Sequence, residues 1–128
     1  MYIDDLKAFL EIEFEYDTSI PTYYAPNLYL NNELLTGDVI IPDGVTKIPA
    51  YAFYHNKNIT GVTIPDGVTT IGLDAFTWCN NLTSINIPDS VTKIFAGAFT
   101  DCRSLENVKI PNGVTAIAAG TFENCFCL

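Results

Sequence analysis

One hexapeptide returns along this chain at a fixed interval. Ile41-Pro42-Asp43-Gly44-Val45-Thr46 recurs as Ile64-Pro65-Asp66-Gly67-Val68-Thr69, as Ile87-Pro88-Asp89-Ser90-Val91-Thr92 and as Ile110-Pro111-Asn112-Gly113-Val114-Thr115. The prolines stand at 42, 65, 88 and 111, so the spacing is 23 residues each time, without insertion or deletion. A strict period of roughly 20 to 50 residues means one small structural unit stacked on copies of itself. The expectation is therefore a β-rich repeat solenoid, a single curved stack of short strands joined by short helical or 3-10 turns.

Each unit reads in the same order. A short β run precedes the proline: Val39-x-Ile41, Val62-x-Ile64, Ile85-x-Ile87 and Val108-x-Ile110. Successive side chains of a strand face opposite ways, so these pairs point inward and Ile40, Thr63, Asn86 and Lys109 point out. Proline cannot donate to a ladder and ends the strand. The Asp-Gly pair that follows makes a turn, with Gly supplying a permissive backbone and Asp expected to bond its own main chain. A second extended piece runs from Val45 to Ile48, and likewise from Val68, Val91 and Val114. Then comes Ala52-Phe53, repeated as Ala75-Phe76, Ala98-Phe99 and Thr121-Phe122; the small residue admits a neighbouring coil and Phe fills the interior. Cys79, Cys102 and Cys125 lie three residues after that Phe, and Asn56 holds the place in the first copy. One coil cannot bury its own apolar face. Stacked at about 4.8 Å, equivalent positions form ladders, each side chain contributing about 1.5–3 kcal/mol on burial.

Residues 1–38 carry a different pattern. Asp4-Asp5 before Leu6, Phe9 and Leu10 predicts a short helix with one apolar face. Ile12, Phe14 and Tyr16 alternate with glutamates as in a half-buried strand. Pro21 and Pro26 bracket an extended link, and Asn31-Asn32 predicts a tight hairpin turn between Leu28-Tyr29-Leu30 and Glu33-Leu34-Leu35. This stretch reads as a degenerate N-terminal capping unit ahead of four repeats over 39–128; an unrelated preceding linker is the alternative. It also carries eight of the 15 acids and one of the six bases, so the repeats are close to neutral within a net charge of −9. That charge, with bases scattered singly, argues against a nucleic-acid partner. No apolar run approaches the roughly 18 residues of a membrane span, and residues 1–5 lack the features of a secretory signal. The chain is either cytosolic or an internal piece of an exported protein. The absence of a polar unit after Leu128 favours the second, and predicts a fraying or self-associating fourth coil.

The pattern Leu82-x-x-Ile85-x-Ile87-Pro88 through Ala98-Phe99-x-x-Cys102 resembles the BspA-like leucine-rich repeat of bacterial and some protist surface proteins. The resemblance covers residues 39–128, and Tyr23-Tyr24-Ala25 through Asn31 is similar to the stretch that introduces such repeats. It implies a non-enzymatic binding or structural module on an exported or cell-surface protein. The implied partner is a protein or glycoconjugate on a host or neighbouring cell, with an accessory domain of a larger exported enzyme as the alternative. Where ordinary leucine-rich repeats carry an Asn ladder, this chain has Gly44, Gly67, Ser90 and Gly113, so their loop geometry does not transfer.

The residues offer little for catalysis. His55 is the single histidine, which excludes a multi-histidine metal site. Asp43, Asp66 and Asp89 bring one carboxylate per coil, not the converging oxygens that calcium needs. The thiols are spaced by the repeat period, not as a zinc motif, and are expected as buried free cysteines, with Cys127 exposed. No cofactor, metal ligand or catalytic residue is expected. Recognition falls to positions the repeat leaves free. Thr63, Asn86 and Lys109 occupy the outer strand face, with Thr60, Thr83, Ser84, Glu106 and Asn107 beside them. Tyr54, His55 and Trp78 form an aromatic loop edge that is either a contact site or local packing.

Overall fold

The computed structural model describes residues 2–11 and 27–128. The expected strand over Ile12, Phe14 and Tyr16, and the link bracketed by Pro21 and Pro26, lie outside the described residues. Strand β1 (Tyr2–Ile3) is followed by helix α1 (Leu6–Leu10). Asp5 caps that helix, its carboxylate accepting the Ala8 N–H at 3.2 Å, while Leu6, Phe9 and Leu10 are buried. Strands β2 (Tyr29–Leu30) and β3 (Glu33–Leu34) pair antiparallel across Asn31 and Asn32, both at positive φ. Asn tolerates that conformation better than most residues, and two of them in succession suit a primed hairpin turn. Strand β1, which nothing in the sequence announced, adds in parallel to β2.

The stack follows. Strands β4 (Gly37–Ile40), β6 (Ile59–Thr63) and β8 (Ser84–Asn86) form one parallel sheet in the order β4-β6-β8. Strands β5 (Lys47–Ile48), β7 (Thr70–Ile71) and β9 (Lys93–Ile94) form a second, β5-β7-β9. The register is the repeat itself: Val39 faces Val62, and Val62 faces Ile85, 23 residues on each time. Inward and outward positions fall as the alternation predicts, with Val39, Ile41, Val62, Ile64, Ile85 and Ile87 buried and Ile40, Thr63, Asn86 and Lys109 exposed.

The third side of each coil carries turns in place of longer helical segments. Ala52, Tyr54 and Asn56 donate back to Pro49, Tyr51 and Phe53, but alternate residues donate onward instead: Tyr51 to Leu73, Phe53 to Ala75 and His55 to Thr77. Positive φ at two places per coil produces this arrangement. Tyr51, Asp74, Gly97 and Gly120 hold the first place, and His55, Trp78, Asp101 and Asn124 the second. Inside, Phe53, Phe76, Phe99 and Phe122 stack face to face, with centroids 5.3, 5.5 and 5.3 Å apart. Leu6, Phe9, Leu10 and Leu28 of the leading segment belong to the same core.

Cys79 and Cys102 are buried as expected and Cys125, in the last coil, is half-buried, but all three are more than small apolar fillers. Cys79, Cys102 and Cys125 each donate from Sγ to the carbonyl of Phe53, Phe76 and Phe99, at 3.1 Å in all three cases. The thiol thus serves a buried carbonyl that water cannot reach. In the first coil Asn56 has the same position; its Oδ1 accepts the Asn58 N–H, while its buried Nδ2 has no partner. All four cysteines are free, and Cys127 is exposed. Burial, and then the neighbouring thiol, pushes Cys79 and Cys102 well above their ordinary 9.0.

The Asp-Gly turns differ from expectation. Each is closed by the backbone, Val45 donating to Pro42, Val68 to Pro65 and Val91 to Pro88. Among the described residues Asp43, Asp66 and Asp89 have no hydrogen-bond partner, so the carboxylates do not cap these turns. Gly44 and Gly67 take φ of 87° and 99°, which a side chain would resist. Ser90 takes an ordinary φ instead, donating through Oγ to the Val68 carbonyl and accepting the Gly67 N–H.

Four outcomes follow. Phe76→Ala removes a fully buried ring stacked on both sides and should cost about 3–5 kcal/mol in urea denaturation; a loss below about 1 kcal/mol would contradict the stack. A thiol reagent should label Cys127 in the folded protein, and Cys79 and Cys102 only on unfolding. Their ionisation is easier in the unfolded chain, so their contribution to stability holds below about pH 9 and falls as pH rises above it; titrating the melting temperature with and without Cys79→Ser reads this. In the fourth coil the main strand shrinks to one bridge, Ser84 with Asn107, and Ile117 is 44% exposed. Amides of residues 108–128 should therefore exchange faster than those of β6, and equal protection would refute the fraying.

Candidate partner-binding surface

Two surfaces contain the residues that the sequence nominated. The first is the outer face of the β4-β6-β8 sheet. Ladder register sets two columns across it: Asp38, Gly61, Ser84 and Asn107 in one, Ile40, Thr63 and Asn86 in the other, with Lys109 following by the repeat. All of these but Ile40, which stands beside it, line a shallow trough of about 400 Å³ together with Val62 and Ile85. The expected trio of Thr63, Asn86 and Lys109 is thus brought together.

Asp38 and Gly61 escaped the sequence reading. The period would have shown them, because they share the column of Ser84 and Asn107. The apolar pattern starts only at Val39, so alternation alone does not mark them. Gly61 shapes the trough by lacking a side chain: a methyl there would strike the Asp38 carboxylate and come within 3.4 Å of Ser84 Oγ.

The polar groups of the trough differ from the hydroxyls that join the coils. Away from it, several hydroxyls tie coil to coil, though those of Thr46, Thr60 and Thr115 do not. Thr83 Oγ1 donates to the Thr60 carbonyl at 3.0 Å, Ser104 Oγ to Asn80 at 2.6 Å and Thr100 Oγ1 to Gly120 at 2.6 Å. Thr69 and Thr92 bond to Thr46 and Thr69 in the same way. In the trough, the side chains of Asp38, Thr63, Ser84, Asn86, Asn107 and Lys109 are exposed and have no hydrogen-bond or ion-pair partner among the described residues. They contribute donors, acceptors and charge that the fold itself does not use.

The second surface is the aromatic edge on the turn side. Tyr54 lies 6.2 Å from His55, and His55 stands edge-on to Trp78 at 5.1 Å. Tyr51 extends the row, 5.6 Å from Tyr54. Trp78 is 42% exposed, whereas Tyr54 and His55 are half-buried. His55 and Trp78 sit in the second positive-φ place of their coils; Asp101 and Asn124 suit it chemically, but a bulky Trp does not. The rings pack on one another, so this edge is partly local packing with one exposed indole. The structure puts it on a different side of the coil from the trough.

Solved structures resemble this stack. A leucine-rich cell surface protein of Faecalibacterium prausnitzii A2-165 is 46% identical over 73% of this chain, with a TM-score of 0.65. A leucine-rich repeat protein of Bacteroides capillosus ATCC 29799 is 31% identical over 69% of it, with a TM-score of 0.61. The leucine-rich repeat protein of T. pallidum is 29% identical over 71%, at 0.59. The chain spans 25%, 71% and 56% of those three proteins, respectively. No curated protein matches significantly. Six copies of the BspA type leucine-rich repeat region match residues 25–128. With the 23-residue register, the stacked Phe ladder and that match in agreement, the chain belongs to the BspA-type leucine-rich repeat family.

Proposed function

We propose that this chain is a non-catalytic binding module of a cell-surface protein, and that it engages a protein partner through the trough on the β4-β6-β8 sheet. The observation that carries this reading is the contrast in hydrogen bonding. Thr69, Thr83, Ser90, Thr92, Thr100 and Ser104 bond to a neighbouring coil, whereas six polar side chains gathered in the one trough have no partner among the described residues. Asp38, Thr63, Ser84 and Asn86 stand on the paired strands β4, β6 and β8, already positioned, and bind with little ordering cost. The surface location is supported by the F. prausnitzii relative, a leucine-rich cell surface protein. In this reading residues 1–38 cover the first coil, and Asp38 at its end joins 39–128 in presenting the surface.

A glycan-binding accessory role has one observation in its favour, the exposed Trp78 beside His55 and Tyr54. One experiment separates the two. The chain, Asn86→Arg and Trp78→Ala would be immobilised and offered surface proteins and glycans released from neighbouring bacteria and host epithelium. Asn86→Arg alters an exposed position and should stay within about 0.5 kcal/mol of the parent in stability; Trp78→Ala also loses the ring contact to His55, so its melting temperature is measured alongside. Material retained by the parent and by Trp78→Ala, but lost with Asn86→Arg, is the expected result. Loss with Trp78→Ala alone would move the site to the aromatic edge, and identical behaviour of all three would overturn the reading.

A further inference from the structure

We infer that the trough is read along the axis of the stack, by an extended peptide that sets a cationic group at Asp38 and an anionic group at Lys109. This rests on the trough being the binding face, and it adds the chemistry and direction of the ligand.

The two columns order the chemistry. The first coil offers the Asp38 carboxylate and the side chain of Ile40, which is 73% exposed. The second offers Gly61, over which the Asp38 carboxylate lies, and the hydroxyl of Thr63. The third offers Ser84 and Asn86, and the fourth Asn107 and Lys109. Charge therefore stands only at the two ends of the trough, negative first and positive last, with neutral donors and acceptors between. Glu106, at the corner before the fourth strand, is the other charge nearby. A lysine or arginine side chain fits the first coil on two counts: its stem can lie on Ile40 while its head reaches Asp38. The missing side chain at Gly61 is what lets that carboxylate lie over the second strand.

Length and shape narrow the ligand further. Three inter-strand steps of about 4.8 Å, with a two-residue offset of about 7 Å between the columns, put Asp38 and Lys109 roughly 16 Å apart. An extended peptide rises about 3.4 Å per residue, so charged groups four residues apart, carried on side chains that reach outward, would meet the two ends. The ligand crosses the strands and does not add to an edge, so side chains, not a main-chain ladder, supply the recognition. No aromatic ring lines the trough, and a sugar would find no stacking platform there. Complementary charge at the two ends would fix the orientation of the peptide more than its affinity.

The test uses four acetylated, amidated pentapeptides added to the isotope-labelled chain at about 0.15 M salt. The first is Lys-Ser-Gly-Ser-Glu; the others carry Lys, Glu or Gln at both ends. Amide shifts at Thr63, Ser84, Asn86 and Asn107 should be saturated most readily by the Lys/Glu peptide, on the order of two- to fivefold more tightly than by the Gln/Gln peptide. Lys109→Glu should transfer the preference to the Lys/Lys peptide, and Asp38→Lys to the Glu/Glu peptide. Gly61→Val should weaken the Lys-bearing peptides while the melting temperature holds. Trough shifts of equal strength for all four peptides, or a preference that ignores the charge reversals, would overturn the polarity and leave the binding face standing. Equal shifts with neutral maltotetraose would overturn the choice of a peptide. If no peptide or sugar moves the trough amides, the binding face itself is wrong, and the inference falls with it.

Discussion

The structure depends on every coil having the same length. Phe53, Phe76, Phe99 and Phe122 meet at 5.3–5.5 Å only because 23 residues separate each from the next. The same interval aligns the valines of the main sheet, the thiols beneath the Phe carbonyls and the hydroxyls between coils. An extra residue would displace all of these rows together. It would leave buried carbonyls facing apolar carbon, at the cost of an unsatisfied group for each. The repeat tolerates substitution but not insertion, and this is why the chain shows variants such as Ser90 and Thr121 and yet no gap.

Most of the architecture was legible in the sequence because it is carried by position rather than by residue preference. Alternation placed Val39, Ile41 and their copies inside and Ile40, Thr63, Asn86 and Lys109 outside. Asn31-Asn32 announced its hairpin through a conformation few other residues accept. What stayed illegible depends on contacts between coils. Nothing in His55 or Trp78 suggests positive φ; the bonds from His55 to Thr77 and from Trp78 to Thr100 impose it. The cysteines were read as apolar because burial is visible in a pattern and a donor's target is not. Asp43, Asp66 and Asp89 look like turn caps, but the backbone closes those turns without them.

The candidate site was half legible for a related reason. Thr63, Asn86 and Lys109 follow from alternation alone. That they are unengaged, while Thr83, Thr100 and Ser104 are bound to the coil before or after, is a matter of three-dimensional pairing. Asp38 enters only through its register with Gly61. The family's regularity hides the site as well: the repeat signature is made of interior residues, and the positions that distinguish one member's surface from another's are those it leaves blank.

The turn side of the stack has an electrical property that the two sheets lack. Phe53 donates to the carbonyl of Ala75; the same peptide unit, through the N–H of Phe76, donates to Ala98; and Phe99 donates in turn to Thr121. His55, Trp78 and Asp101 head a second such chain, to Thr77, Thr100 and Glu123. These peptide units point the same way, as in a helix, although no helix is there. Each carries a dipole of about 3.5 D, and aligned units add and polarise one another. A polar axis therefore runs along the stack, with its N–H pole at the fourth coil and its carbonyl pole at the first. It lengthens with every coil, so a coil's electrostatic contribution depends on how many others lie in line with it and not on its two neighbours alone.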